Sequence, residues 1–283
     1  MLAGVSDSAP SIEAIPDAAD PRLDDYRDLR DHQLRLRRGL FVAESRSIVR
    51  LLLASPRFRT RSVLLTAPAL DALRPDLAAA DPATRVLVAS HPVIRAVSGF
   101  DFHRGCLAVG ERGADAAPGV LIDPPGPRLV LVLEELSNPD NVGGVFRNAM
   151  AFGVDAVLLS AGSADPLYRK TIRVSVGGAL RVPFARLADW PASLPALRAT
   201  GYVIAALTPG PDALPLERLG ERGPLPDRLA LVAGAEGPGL CERTRAMSDV
   251  QVRIDMAAGV DSLNVSTATG IALHWLRRFR GYR

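Results

Sequence analysis

Lysine is almost missing from this chain: Lys170 is the only one among 34 basic residues, so nearly all of the positive charge is arginine. Cysteine is scarce too. Cys106 and Cys241 stand far apart, in no Cys-x-x-Cys or Cys/His ligand spacing, which leaves no metal centre to expect and points to a reducing cytoplasm. No apolar run approaches the roughly 20 residues needed to span a bilayer. The N-terminus lacks a basic segment followed by an apolar one, so neither a membrane span nor export is expected. There is no internal repeat, and no Gly-x-Gly-x-x-Gly turn is followed by an acid about 20 residues on, the mark of a dinucleotide site.

What is present suits a folded, soluble protein. The 283 residues are enough for one large or two ordinary domains, and 48% hydrophobic residues can fill a core. The formal charge of +3 is too small to announce a polyanionic partner, but its distribution is uneven. Between Arg22 and Arg61 there are eleven arginines and five acids. Arginine offers a planar fork that grips phosphate and stacks on bases. Arg35, Arg37, Arg38 and Arg46 are therefore the candidates for RNA contact. A general preference for arginine over lysine gives the same composition without nucleic acid.

Residues 1–19, rich in Ala, Ser, Pro and Asp without a sustained period, read as a flexible leader. Residues 20–110 read as a small α/β unit: an amphipathic helix near 22–37, a helix over 44–55, and strands at Val63–Leu65, Val86–Val88 and Cys106–Val109. Residues 111–127, ending in Pro124-Pro-Gly-Pro127, have the composition of a linker. Beyond it, β-type runs at 129–134, 156–159, 202–207, 229–233 and 250–254 alternate with helical segments. That alternation predicts a largely parallel sheet covered on both faces over residues 128–283.

Three segments of this second half carry the chemistry. The first, Leu133-Glu-Glu-Leu-Ser-Asn-Pro-Asp-Asn-Val-Gly-Gly-Val-Phe-Arg-Asn-Ala-Met-Ala-Phe-Gly153, leaves a buried strand through an Asn-Pro turn and enters a helix near Asn141. Val142, Val145, Phe146, Ala149 and Phe152 recur at helical spacing and should face the sheet. Arg147 shares a stripe with the small residues Gly143, Gly144 and Ala151, leaving room for a ligand beside its guanidinium. An exposed helix arginine is ordinarily a solubilising residue, and Asn141 is also a reasonable N-cap. The second segment, Val232-Ala-Gly-Ala-Glu-Gly-Pro-Gly-Leu240, is a glycine-rich turn after a strand, with Pro238 placed to open a helix. The third, Ile254-Asp-Met-Ala-Ala-Gly-Val-Asp-Ser-Leu-Asn-Val-Ser266, leads from a strand into a helix starting at Ser262, itself a suitable N-cap, with Leu263, Ile271, Trp275 and Phe279 as the buried face.

Together these segments resemble the three motifs of the SpoU (TrmH-like) RNA ribose methyltransferases, the 2′-O-methylating branch of the SPOUT superfamily. In order and spacing, Asn138, Pro139, Asn141, Gly143 and Arg147 match the first motif, Gly234 to Leu240 the second, and Ser262 to Val265 the third. The resemblance implies a SPOUT-type parallel sheet with a C-terminal trefoil knot and S-adenosylmethionine as cofactor. It also implies a homodimer through the catalytic domain, RNA (rRNA or tRNA) as substrate and no role for DNA. By the same resemblance Arg147, Asn141, Glu236, Ser262 and Asn264 are the catalytic candidates, and Thr208, Gly234, Gly237, Ile254, Met256 and Leu263 the cofactor contacts. Gly39–Arg50 with Gly105–Val109 resembles the family's N-terminal RNA-substrate-binding domain, although family members often carry Glu-Gly where this chain has Glu44-Ser45. Asp255 stands where the family commonly has Pro. Tyr168–Pro183 resembles the segment that presents a Ser and a Gly near the dimer interface, here Ser175 and Gly177. Two other readings compete: a catalytically inactive RNA-binding ribosome-assembly factor with the same fold, and a nucleotide-cofactor oxidoreductase.

Overall fold

A strand covered on both faces must be apolar almost without interruption, and Leu129–Leu133, Ala156–Leu159 and Leu229–Ala233 are all buried. In the computed structural model, which describes residues 10–27, 38–99, 105–126, 128–222 and 225–279, these runs lie in a seven-stranded sheet. Its strands are β6 (Arg128–Glu134), β7 (Ala156–Ser160), β8 (Phe184–Leu187), β9 (Val203–Leu207), β10 (Leu214–Pro215), β11 (Arg228–Gly234) and β12 (Val250–Arg253). The order is β10-β12-β9-β11-β6-β7-β8, and every neighbouring pair is parallel. The mixed α/β class with a parallel sheet is as the sequence predicts; β8 and β10, at the two edges, are too short to be read from periodicity.

Alternate residues divide the sheet's two faces. Val130, Val132, Leu158, Ile204, Ala206, Ala230 and Val232 build one core layer with Leu194, Leu197 and Tyr202. On the helix after β6, Val142, Val145, Phe146 and Ala149 are buried, and the Phe146 ring meets Phe184 edge-on at 5.8 Å.

The first of two compact units takes the chain up to Ala114 together with Leu167–Arg181; the second takes Asp115–Pro166 and Val182 onward. The inclusion of Leu167–Arg181 in the first unit differs from the sequence-based division. In the first unit the sheet order is β1-β4-β3-β5-β2, from β1 (Ile12–Ile15), β2 (Leu40–Glu44), β3 (Arg59–Leu65), β4 (Arg85–Ala89) and β5 (Cys106–Glu111). Helices α1 (Arg46–Leu53), α2 (Ala67–Ala78) and α3 (His91–Ser98) follow β2, β3 and β4. The second unit opens with α4 (Pro118–Ile122) and continues with α5 (Pro139–Phe152). Helices α6 (Arg169–Val174) and α7 (Gly178–Arg181) return to the first unit; α8 (Leu194–Ala199), α9 (Glu242–Met247) and α10 (Val265–Phe279) complete the second.

Several local expectations need correction. The leader is not featureless: Ile12–Ile15 pairs in parallel with Val86–Ala89, Ile15 is buried, and Glu13 bridges Arg22 and Arg85 at 3.0 Å each. Four residues are too few for a period to show. The helix expected over 22–37 is, among the described residues, a 3-10 turn at Pro21–Tyr26; residues 28–37 lie outside them. Glu44 ends a strand rather than opening a helix. The segment 111–127 contains α4, so it is not wholly extended linker.

The basic region is also largely neutralised from within. Arg22, Arg27, Arg50, Arg59 and Arg61 pair with Asp20 and Glu13, Asp24, Asp76, Asp81 and Glu111, and Asp25 respectively. Arg38 is exposed and donates to the Asp24 carbonyl at 3.5 Å. Arg46 is exposed, with no ion pair among the described residues. Arg35 and Arg37 lie outside the described residues.

Ser45, at the point where the family commonly has Gly, has φ 90° and ψ 148°. This backbone region is almost reserved for glycine, and a side chain held there costs on the order of 1–3 kcal/mol. Ser45→Gly should therefore stabilise the first unit by about 1 kcal/mol after the extra freedom of glycine in the unfolded chain is subtracted. A higher denaturant midpoint is the expected result; an unchanged or lower one contradicts the assignment of strain.

The Arg22 guanidinium and amide hold the Asp20 carboxyl down at about 2, against an ordinary 3.8. A depressed folded-state value means that stability is fully present above the ordinary value and lost as pH falls through the depressed one. The stability gap between wild type and Asp20→Asn should thus be constant above pH 3.8 and close towards pH 2, followed by acid titration of both proteins.

Candidate active site

Strand β6 ends at Glu134, and the chain turns through Glu135, whose φ is +55°. The Ser160 hydroxyl holds that turn, accepting from the Glu135 amide at 2.8 Å and donating to its carboxylate at 2.7 Å. Helix α5 then begins at Pro139, earlier than the sequence suggests, because Asn138 outcompetes Asn141 as the cap: its Oδ1 accepts from the Asp140 amide at 2.9 Å. Asn141 is thereby freed for another task. It is only 5% exposed, its Oδ1 accepts from Asn264, and its Nδ2 is a buried donor with no partner. A buried unpaired donor costs about 1–3 kcal/mol unless something satisfies it.

Arg147 is exposed on α5 and makes no hydrogen bond or ion pair among the described residues. The small-residue stripe beside it is less open than the sequence implies. A Cβ on Gly144 would lie 2.3 Å from Ser266 Oγ, and Asn148 Nδ2 donates to the Ser266 carbonyl at 2.6 Å, so α10 is seated on that stripe.

After β11 the glycine turn folds back on itself. A Cβ on Gly234 would stand 2.4 Å from the Gly239 carbonyl carbon, and the Gly239 amide donates to the Ala235 carbonyl at 3.0 Å. Gly237 and Gly239 have φ of +83° and +66°, conformations that glycine adopts freely. Pro238 lies inside this turn and does not open a helix; α9 starts at Glu242, capped by Cys241, whose Sγ accepts from the Thr244 amide.

The third segment also differs in detail. Helix α10 starts at Val265 and its cap is Asn264, not Ser262, because Asn264 Oδ1 accepts from the Ser266 and Thr267 amides at 2.9 and 3.3 Å. The buried face of α10 is Val265, Thr269, Ala272, Leu273 and Leu276; Leu263 precedes the helix and is 37% exposed, and Ile271 is 40% exposed. Asp255 takes the place of the family's Pro by pairing with Arg253 at 2.8 Å. Arg253 also donates to the carbonyls of Pro211 and Ala213, tying two neighbouring loops together.

These loops leave the carboxyl ends of β9, β11 and β12, the edge at which open α/β sheets bind ligands. They enclose a cavity of about 470 Å³, within the size range of small-molecule sites. Thr208, Gly234, Gly237, Ile254, Met256 and Leu263 all line it, as do Glu236, Ser262 and Asn264. Asn141 reaches it through its bond to Asn264, whereas Arg147 is not part of the lining. Ala233, Ala235, Gly239 and Val265 from the second and third segments also line it; Leu207, Pro209 and Ala268 complete the wall and were not singled out from sequence, since nothing distinguishes them from core residues. Among the described residues no Lys, Arg or His lines the cavity, and its one charged residue is Glu236. Among the described residues no His/Cys/Asp/Glu group could hold a metal ion. Ser175 and Gly177 belong to the first unit. Ser175 is buried with its hydroxyl donating to the Ile172 carbonyl at 3.0 Å, and a Cβ on Gly177 would meet Leu51 at 2.6 Å.

The three segments meet at one amide. Asn264 Nδ2 donates to Asn141 Oδ1 at 2.9 Å and to Glu236 Oε1 at 3.0 Å while its oxygen caps α10. Replacing Asn264 by Asp keeps the cap but turns an acceptor towards Asn141 and Glu236. Asn264→Asp should lose about 1 kcal/mol at neutral pH, and Glu236→Gln in the same chain should restore most of it. A double-mutant cycle by urea unfolding with no coupling between the two positions would refute the junction.

Comparison with known proteins places the chain among RNA methyltransferases. Residues 128–274 match the model of the SpoU rRNA Methylase family. An uncharacterized tRNA/rRNA methyltransferase of Mycobacterium bovis is 42% identical over 93% of this chain and 91% of its own length. A 23S rRNA (guanosine-2′-O-)-methyltransferase of Ralstonia nicotianae is 34% identical over 67% of this chain and 75% of its own. Among solved structures, an AdoMet-bound rRNA methyltransferase from Sinorhizobium meliloti shares the fold. Its TM-score is 0.79 at 23% identity, covering 94% of this chain and 98% of that one.

Proposed function

Because this chain belongs to the SpoU rRNA methylase family, we propose that it transfers the methyl group of S-adenosylmethionine to a ribose 2′-hydroxyl of structured RNA. The observation that carries the reading is the charge of the cavity. Its walls are apolar side chains, glycine backbone and the polar Thr208, Ser262 and Asn264, with one carboxylate, Glu236, and no cation among the described residues. That lining suits a cofactor that bears a sulfonium and carries no phosphate. The chain also has no Gly-x-Gly-x-x-Gly turn followed by an acid about 20 residues on, which argues against the oxidoreductase.

S-adenosylmethionine supplies an electrophilic methyl group, so no metal is required. The chain's own residues have to hold the hydroxyl in line and help remove its proton, and positioning of this kind can lower a barrier by several kcal/mol. Ile254, Met256 and Leu263 would hold the adenine against the third loop, with Thr208, Gly234 and Gly237 closing the other side. The unpartnered Asn141 Nδ2 is a donor available to an incoming oxygen. Ser262, exposed at the cavity wall, is placed to meet the ribose. A guanidinium offers only donors, so Arg147 serves as donor to the hydroxyl or to an adjacent phosphate. DNA lacks the reacting group and is not a substrate.

The identified relative that methylates 23S rRNA favours rRNA over tRNA. We also place in this chain the family's homodimer and trefoil knot. The dimer is supported by Ile271, 40% exposed on α10, with half-buried Trp275 one turn on. Among the described residues no helix is long and apolar enough to cross a membrane, in keeping with a cytoplasmic enzyme.

Labelled methyl from S-adenosylmethionine should appear in unmodified rRNA rather than in tRNA. Arg147→Ala should lower the rate on the order of 100-fold or more. Full turnover by Arg147→Lys would rule out a specific guanidinium role. Cofactor binding without label in any RNA would favour the assembly-factor reading instead.

A further inference from the structure

Glu134 is a carboxylate in the floor of the second unit, 3% exposed, with no part in the chemistry above. Three donors from three places converge on it. Trp190 Nε1, between β8 and α8, donates to Oε2 at 2.6 Å; the Cys241 backbone amide, at the end of the glycine turn, donates to Oε1 at 2.5 Å; and the Thr244 hydroxyl on α9 donates to Oε2. Both oxygens of the carboxylate are used.

The chemistry of the donors explains why a carboxylate is needed. An indole N–H and a backbone N–H can only donate, so each of the two oxygens faces a group that cannot accept. A glutamine amide would have to turn its NH₂ towards one of them. The Cys241 bond matters most for the site, because it ties the turn Gly234–Leu240 to the end of β6. Besides the Asn264 to Glu236 bond and the packing of Leu240 in the core, the turn has no other side-chain anchor among the described residues: Gly237 and Gly239 carry none, and the fold-back is held by the Gly239 to Ala235 backbone bond.

We propose that Glu134 is a positioning residue for the cofactor, holding the cavity-lining glycine turn in register through the Cys241 amide. This rests on the reading of the cavity as the S-adenosylmethionine site.

The test is calorimetric titration of S-adenosylmethionine into the full-length wild type, Glu134→Gln, Trp190→Phe and the double variant, with thermal unfolding of each. Glu134→Gln should bind about tenfold more weakly, the scale expected for one charge-assisted hydrogen bond lost, while turnover at saturating cofactor stays within about twofold. Trp190→Phe alone should change affinity by less than about threefold. In the double variant the glutamine NH₂ can turn towards Thr244, whose hydroxyl is able to accept, and its oxygen keeps Cys241. Affinity should then return to within about threefold of wild type. A general loss of core packing predicts the reverse, since removing a second side-chain contact would weaken binding further. Unaltered affinity in Glu134→Gln, or a double variant no better than Glu134→Gln, would overturn the inference while leaving the cavity assignment intact. A wild type that does not bind the cofactor would overturn both.

Discussion

The second unit depends on a geometric coincidence at Asn264. Its side chain has one oxygen and one nitrogen, and both are committed: the oxygen stops the first turn of α10 from fraying, and the nitrogen reaches Asn141 and Glu236. Asn is the residue that can do both, since Asp has no donor and Ser has too short a reach. Fixing the first turn of α10 in this way fixes where Ser266 falls, and Ser266 is what sits over Gly144 and accepts from Asn148 on α5. The placement of α10 against α5, and with it one wall of the cavity, follows from a cap that is also a crosslink.

The arginine surplus finds its main explanation in stability. A guanidinium has five donors in a rigid fork and stays charged when partly buried, so it can hold several carbonyls at once. Arg228 does so with Ile122, Pro124 and Gly126 while lying 4.5 Å over the Tyr202 ring, and its parallel-register neighbour Arg128 donates to Leu121. The Pro-rich segment after α4 is thereby fastened to the start of β6 and β11. Arg198 does the same between Asp249 and the Met247 carbonyl, and Arg253 between Asp255 and the loop at Pro211. Lysine could make only point contacts at these places. This use accounts for many of the cations, and Arg46 and Arg147 are among those not used in this way.

The sequence discloses the sheet because its strands are long, apolar and separated by helices, and it discloses the site because the three segments have fixed spacing. It conceals the local choices between near-equal alternatives. Two asparagines three residues apart, Asn138 and Asn141, could each cap α5, and Ser262 and Asn264 could each cap α10; only the tertiary partner of the losing or winning side chain decides. The edge strand β1 gains its stability from Glu13 meeting Arg22 and Arg85 in the folded unit, contacts with no local signature. Glu134 is hidden for the same reason. The first of two acids after five apolar residues reads as the solvent end of a strand, and its burial becomes visible only when Trp190, Cys241 and Thr244 arrive from more than fifty residues away.

Charge separates the two reactants of the proposed reaction before any contact is made. The cavity offers a carboxylate and no cation, so it attracts a sulfonium and repels a phosphate backbone. Arg147 lies outside the lining, exposed and uncommitted, so in the proposed reaction it would meet the polyanion instead. A charge placed the other way round, with the arginine inside the cavity, would bind RNA phosphate where the cofactor belongs. In the proposed reaction the hydroxyl to be methylated would come from the Arg147 side and the methyl from the Glu236 side. Asn264 is bonded to Glu236 on one hand and to Asn141 of the arginine's own helix on the other, so the same amide that holds the loops together also marks where the two reactants face each other.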